Sequence, residues 1–199
     1  MALSPGRGAA RGFTLMELMI VLALAGVILA IGAPNFREFR MNNALTAAAN
    51  DYLASLQLAR TEAVKRQGIV SVCRSANPAA AEPACDGDDF SGWIVFEDPD
   101  GDCDRADTEV LIRGEGPHDA SLEAPANGVC ASFSRAGFAR ELPDGVLADR
   151  LLFCDQRGTT LQEGTTQSLA RGIILDRTGR AQITRDQAII ESWGLSCGE

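Results

Sequence analysis

Residues 13–33 read FTLMELMIVLALAGVILAIGA, an apolar run that carries one charge, Glu17. About 20 apolar residues is the length a helix needs to cross the hydrocarbon core of a bilayer. The twelve residues before it, MALSPGRGAARG, are small and basic, with Arg7 and Arg11. Basic residues ahead of a span and none inside it favour a cytoplasmic N-terminus. Length and flanks alone fit three readings: a membrane anchor, a secretory signal peptide cut before Ala33, or a buried core helix.

Glu17 separates them. A carboxylate in an apolar helix costs roughly 2.5–3.5 kcal/mol near the bilayer centre, and less towards an end. A passive anchor or signal peptide gains nothing from that cost, so an intramembrane carboxylate points to a function and needs a partner. A cut between Gly12 and Phe13 would supply one. The new α-amino group would lie one helical turn before Glu17. In a helical bundle the Glu17 of one subunit could then neutralise the Phe13 amine of its neighbour, strongly, because the medium has a low dielectric constant.

Gly12-Phe13-Thr14-Leu15-Met16-Glu17 resembles the processing signal of type IV pilins and type II secretion pseudopilins. The resemblance implies cleavage by a prepilin peptidase after Gly12, N-methylation of Phe13 and an assembly role for Glu17. It makes residues 1–12 a leader and residues 13–33 a transmembrane and polymerisation helix. Pro34 stands where many pilins carry a helix-kinking proline.

Pro34 interrupts the apolar run but need not end the helix, since a proline kinks by removing one backbone bond and clashing with the preceding turn. Beyond it Leu45, Ala49, Tyr52, Leu53, Leu56, Ala59, Ala63 and Val64 recur at helical spacing, with charges mostly off that stripe. Residues 34–68 therefore read as an amphipathic continuation with one face for a core, stopping at Gly68. From residue 69 to 199 the pattern becomes short β-branched and aromatic runs between Gly, Pro, Asp and Asn clusters: 69–73, 93–96, 110–113, 151–154, 172–175 and 181–184. These read as antiparallel strands joined by loops.

The stretch from Pro34 to Cys73, the run Gly92-Trp93-Ile94-Val95-Phe96-Glu97-Asp98 and the run Asp176-Arg177-Thr178-Gly179-Arg180 resemble the GspH/FimT group of minor pilins and pseudopilins. The resemblance implies an α+β fold, with a long N-terminal helix packed on antiparallel β-sheets. It implies a single-pass protein of the bacterial inner membrane with a periplasmic domain, later part of a pilus or pseudopilus. The partners implied are other pilins or pseudopilins, the prepilin peptidase and the inner-membrane assembly platform. The Pro-Asn-Phe and Met-Asn-Asn stretch leans towards the minor pilins of type IV pili. The alternative is an H-type minor pseudopilin of type II secretion.

Six cysteines, Cys73, Cys85, Cys103, Cys130, Cys154 and Cys197, occur without CxxC spacing. That pattern argues against zinc and for disulfides in an oxidising compartment. Six cysteines allow 15 pairings. Cys73 and Cys85 bracket a short proline-containing segment, and a Cys154–Cys197 bond would hold the C-terminal tail; Cys103 and Cys130 are then left for each other. Asp98, Asp100 and Asp102 alternate as calcium ligands can, but the sixth loop position, glycine in an EF-hand, is Cys103. A solvated hairpin tip is the ordinary reading, and no cofactor is expected.

The formal net charge is −9. Loss of the leader leaves 16 basic against 27 acidic residues, a net of −11. This argues against coating nucleic acid by overall charge. A local patch stays open, because the resemblance implies DNA contacts at Arg177 and Arg180, with Arg185 close by. The single histidine, His118, sits in a Gly-Pro-His-Asp turn, and no nucleophile–base pair supports an enzyme behind a signal peptide.

Overall fold

The computed structural model describes residues 12–86, 90–116, 121–128, 130–142, 145 and 147–197, and the backbone alone at Pro34 and Asn35. Residues 1–11, most of the expected leader, and His118 therefore lie outside the described residues. The elements are α1 (Leu15–Arg66), β1 (Val70–Ser75), β2 (Gly92–Glu97), β3 (Leu111–Glu115), β4 (Cys130–Phe133), β5 (Arg150–Phe153), β6 (Gln167–Leu175), β7 (Ala181–Asp186) and α2 (Gln187–Glu191). The chain divides into two units, residues 1–40 and 41–199. In the first, α1 is helical through position 34, as a proline within a helix allows.

In the second unit, β3-β2-β1-β4 form one antiparallel sheet and β5-β6-β7 another. Strands β1, β2, β4, β5 and β6 are buried on both faces over much of their length, whereas no residue of the edge strands β3 and β7 is buried. Val70, Val72, Trp93, Val95, Ala131 and Phe133 point at α1 and join Leu45, Ala49, Tyr52 and Leu56 in the main core. Ile94, Phe96, Cys73 and Cys130 point the other way, into a second cluster with Cys103 and Leu142. The second sheet alternates alike. Leu151, Phe153, Ile173 and Leu175 join the main core, whereas Leu152 and Ala170 pack with Ile190 of α2.

Tyr52 of α1 makes edge contacts with Trp93 of the first sheet (centroids 5.1 Å) and Phe153 of the second (5.8 Å). Trp93 Nε1 donates to Ser55 Oγ at 2.8 Å. Three layers meet at this aromatic junction.

The stripe on α1 differs from expectation at its end. Val64 is 43% exposed, whereas Ser55 and Glu62 are buried. The core face drifts around the helix because 3.6 residues per turn do not keep a fixed spacing in line. Glu62 lies near that face because Arg66 and Lys65, one turn on, bond its carboxylate. The Arg66 bond first, then that of Lys65, holds Glu62 below its ordinary range. Arg66 also pairs with Glu97 of β2.

Two elements escaped the sequence reading. β4, CASF, has no β-branched residue, and α2 is a five-residue helix capped by Asp186, which accepts from Ala188 N (3.0 Å) and Ile189 N (3.3 Å). Strand β6 begins at Gln167 rather than 172, across an irregularity between Gln167 and Gly172. Its first residues, Gln167-Ser168-Leu169-Ala170-Arg171, lack the strand-forming run that marks its end.

Disulfides join Cys73 to Cys85, Cys103 to Cys130 and Cys154 to Cys197. The third closes the longest loop, 43 residues, worth about 4 kcal/mol in the chain-entropy model.

Candidate assembly helix and basic hairpin pole

Thr14 caps α1. Its Oγ1 accepts from Glu17 N at 3.1 Å, and its carbonyl accepts from Leu18 N at 3.1 Å. Thr14-x-x-Glu17 is thus a capping-box pattern, with Glu17 in the first turn, where a carboxylate complements the helix dipole. Around it, Phe13, Leu15, Met16, Met19 and Ile20 are all more than half exposed. Among the described residues α1 is the one helix long and apolar enough to cross a membrane. An uncovered apolar surface of this length needs lipid or other helices around it.

At the far end of α1, two hairpin turns share one geometry. In Ser134-Arg135-Ala136-Gly137-Phe138, Gly137 N donates to Ser134 O (2.8 Å) and Ser134 N to Phe138 O (2.9 Å). In Asp176-Arg177-Thr178-Gly179-Arg180, Gly179 N donates to Asp176 O and Asp176 N to Arg180 O, both at 2.9 Å. Each is a three-residue loop with glycine at positive φ, +77° and +78°. Bonds from Thr178 first, and from Arg180 N, hold the Asp176 carboxyl below its ordinary range.

The two turns abut. A Cβ on Gly179 would sit 2.2 Å from Gly137 O, and both glycines lie against the Arg60 side chain. Gly179→Ala therefore combines a positive-φ penalty with a backbone clash. It should cost about 1–3 kcal/mol, read as a lower denaturation midpoint at unchanged slope.

Arg60 and Lys65 of α1 and Arg180 line one groove there. Arg177 stands beside it, 80% exposed and paired with Glu141 at 3.0 Å. Of the arginines expected to contact DNA, Arg177 and Arg180 are thus brought together and Arg185 is not. Arg185 sits further along β7, where its guanidinium donates to Gln162 Oε1 (2.6 Å) and Ser168 O (3.2 Å). It faces Arg171, which burial, then Arg185 and Arg157, lower to about 10. The sequence reading missed Arg60 and Lys65. The repeated Arg-x-Gly turns were the available signal that two arginine-bearing hairpins existed, but not that α1 would meet them.

Asp98, Asp100 and Asp102 do converge, with ligand oxygens within 4.8 Å of one another. Asp98 is buried, and its oxygens already accept from Ser71 Oγ (2.5 Å) and Gly101 N (2.7 Å). Ser71 Oγ also lies 2.9 Å from Ser132 Oγ, and since its own proton goes to Asp98 it accepts there from the Ser132 hydroxyl. This is a turn braced against β1 and β4, and it carries no metal assignment. Burial pushes the Asp98 carboxyl up, against the bonds from Ser71 and Gly101. A raised folded-state pKa gives stability that is present below the unfolded value and lost as pH rises through the folded value. Asp98→Asn should therefore gain thermal stability relative to the parent as pH rises from the ordinary carboxylate range towards neutrality. Melting curves of both proteins across that interval would show it, and a constant difference would contradict it.

An apolar N-terminal helix segment, an amphipathic segment and two antiparallel sheets packed on it define the α+β architecture of pilin-type subunits. The family profile described as type II transport protein GspH matches residues 48–179, more than half of the chain, and the chain belongs to that family. The prokaryotic N-terminal methylation motif matches residues 7–33. The chain is 36% identical over 70 residues to two fimbrial proteins of Pseudomonas aeruginosa, across 35% of this chain and 44% of theirs. It thus spans less than half the length of those relatives. Two crystal forms of the type IV minor pilin FimU from the same organism align with TM-scores of 0.43 and 0.40, at 19% and 18% identity. They cover 75% and 70% of this chain, and 94% and 91% of theirs.

Proposed function

We propose that this chain is a minor type IV pilin, a structural subunit cut between Gly12 and Phe13, N-methylated at Phe13 and assembled through the first half of α1. One observation carries the reading. The methylation motif over residues 7–33 coincides with a helix whose apolar side chains are uncovered and whose one acidic first-turn residue is Glu17. Catalysis has no part in the mechanism: lipid holds the helix before assembly, and neighbouring helices replace lipid afterwards. The anchor would sit in the inner membrane with residues 69–199 in the periplasm. Processing by a prepilin peptidase and recruitment by an assembly platform follow from this reading, and Pro34 would supply the helix kink. The mass and N-terminal sequence of the protein from membranes test it. N-methylated Phe13 is the expected start; a start at Ala33 would replace the anchor by a signal peptide. The family description also suits an H-type pseudopilin. Co-purification with sheared pili, set against secretion in a deletion strain, separates the two machines.

The groove of Arg60, Lys65 and Arg180 beside Arg177 favours a second role in the same subunit, contact with DNA phosphates. Binding should weaken steeply with salt, with a log–log slope set by the number of contacts. Arg177→Ala and Arg180→Ala should each reduce that slope by about one, and Arg185→Ala should not. No binding at low salt would remove this role and leave the structural one intact.

A further inference from the structure

Cys73 and Cys130 are bridged to different loops, yet they are direct cross-strand neighbours. The β1–β4 register pairs Cys73 with Cys130, so their side chains share the face that points away from α1. The loops that carry their disulfide partners touch as well. Arg105 joins the two loops, donating to Pro83 O at 3.0 Å and to Glu82 Oε2 at 3.1 Å. Those residues precede Cys85 and follow Cys103 by two or three positions. All four sulfurs belong to one apolar cluster with Ile94, Phe96 and Leu142. The same backbone thus sets Cys73 beside Cys130 and puts the loops that carry Cys85 and Cys103 in contact, alongside the bonded pairs.

We propose that Cys85 is a thiol-accepting site, and that the four cysteines form one exchange set with two connectivities. Cys73, Cys103 and Cys130 are at most 4% exposed, whereas Cys85 is half-buried, so Cys85 is where an external thiolate can attack. Attack at Cys85 Sγ forms a mixed disulfide and releases Cys73 as thiolate. The Cys73 thiolate attacks its neighbour Cys130 Sγ, forms Cys73–Cys130 and releases the Cys103 thiolate. That thiolate attacks Cys85 Sγ, forms Cys85–Cys103 and returns the external thiol. Two disulfides enter and two leave, with no net oxidation, so the co-reactant is catalytic: a small thiol, or the active-site cysteine of a thiol–disulfide oxidoreductase. Cys154 and Cys197 stand outside the set, in the α2 cluster.

Trypsin makes the two connectivities distinguishable. Residues 67–74 carry Cys73, residues 75–105 carry both Cys85 and Cys103, and residues 114–135 carry Cys130. The bonded pairs join all three peptides. The exchanged pairs join 67–74 to 114–135 and leave 75–105 closed on itself. The experiment incubates the full chain in detergent with a catalytic amount of reduced glutathione, quenches it by alkylation and maps unreduced peptides by mass spectrometry. The expected result is loss of the three-peptide species, with the two-peptide species and the closed peptide gained mole for mole. The Cys154–Cys197 bridge should be unchanged. Glutathione captured at Cys85 with no two-peptide species would overturn the proposal, as would a three-peptide species that persists with no adduct at Cys85. A second measurement uses the double variant Cys85→Ser, Cys103→Ser. With glutathione disulfide as the oxidant, reduced to two glutathione thiols, Cys73 and Cys130 should bridge in it; both remaining free in a protein that keeps Cys154–Cys197 would also overturn it.

Discussion

Replacing Glu17 by alanine should leave the chain in the membrane and remove it from filaments. The residue lies in the first turn of α1, one turn from the amine that cleavage before Phe13 would create. Unpairing a charge in a low-dielectric interior costs about 3–5 kcal/mol. At about 1.4 kcal/mol per tenfold, incorporation should fall by roughly two to three and a half orders of magnitude. The capping pattern offers a competing explanation, since Glu17 N is already bonded to Thr14. Glu17→Gln separates the two, because glutamine can complete a capping box but carries no charge. Loss of the charge should abolish assembly in both variants, measured as subunit in sheared filaments over subunit in membranes. Normal incorporation of the glutamine variant would reduce Glu17 to a cap.

The largest effect on folding is expected at Trp93. Its side chain is fully buried and touches Tyr52 of α1 and Phe153 of β5. Trp93→Ala removes a ring from the point where helix and both sheets meet. A buried tryptophan truncated to alanine costs about 3–5 kcal/mol. For a domain of this size that corresponds to roughly 6–20 °C in Tm. Circular dichroism of the full chain in detergent would read the shift. Trp93→Phe should lose much less, because it keeps an aromatic ring at the junction. A Tm within two degrees of the parent for the alanine variant would mean that the junction can close over the gap, with about 2–4 °C per kcal/mol as the scale.

How much of this was legible follows from the range of the forces involved. The span, the proline position, the amphipathic stripe and most strands were readable because each is written locally, as apolar length or as a period of 3.6 or 2. β4 was not, because CASF is a strand only by pairing with β1. The early half of β6 was not, because Gln167-Ser168-Leu169-Ala170-Arg171 is held by neighbours rather than by propensity. Val64 was assigned to the core by spacing, and it is exposed because the core face drifts around α1. Arg185 was grouped with Arg177 and Arg180 by sequence distance, yet it lies further along β7, bonded to Gln162.

The sequence by itself determined a helix of membrane-spanning length with an acidic residue in its first turn, because apolar length and an isolated charge need no tertiary information. It also determined that six cysteines were available for bridging. Only the tertiary structure decided which cysteines face one another across β1 and β4, that the two Arg-x-Gly turns close on Arg60, and that Asp98 is braced rather than open. Those outcomes depend on contacts between residues tens of positions apart, and such contacts are fixed by packing both sheets against one helix.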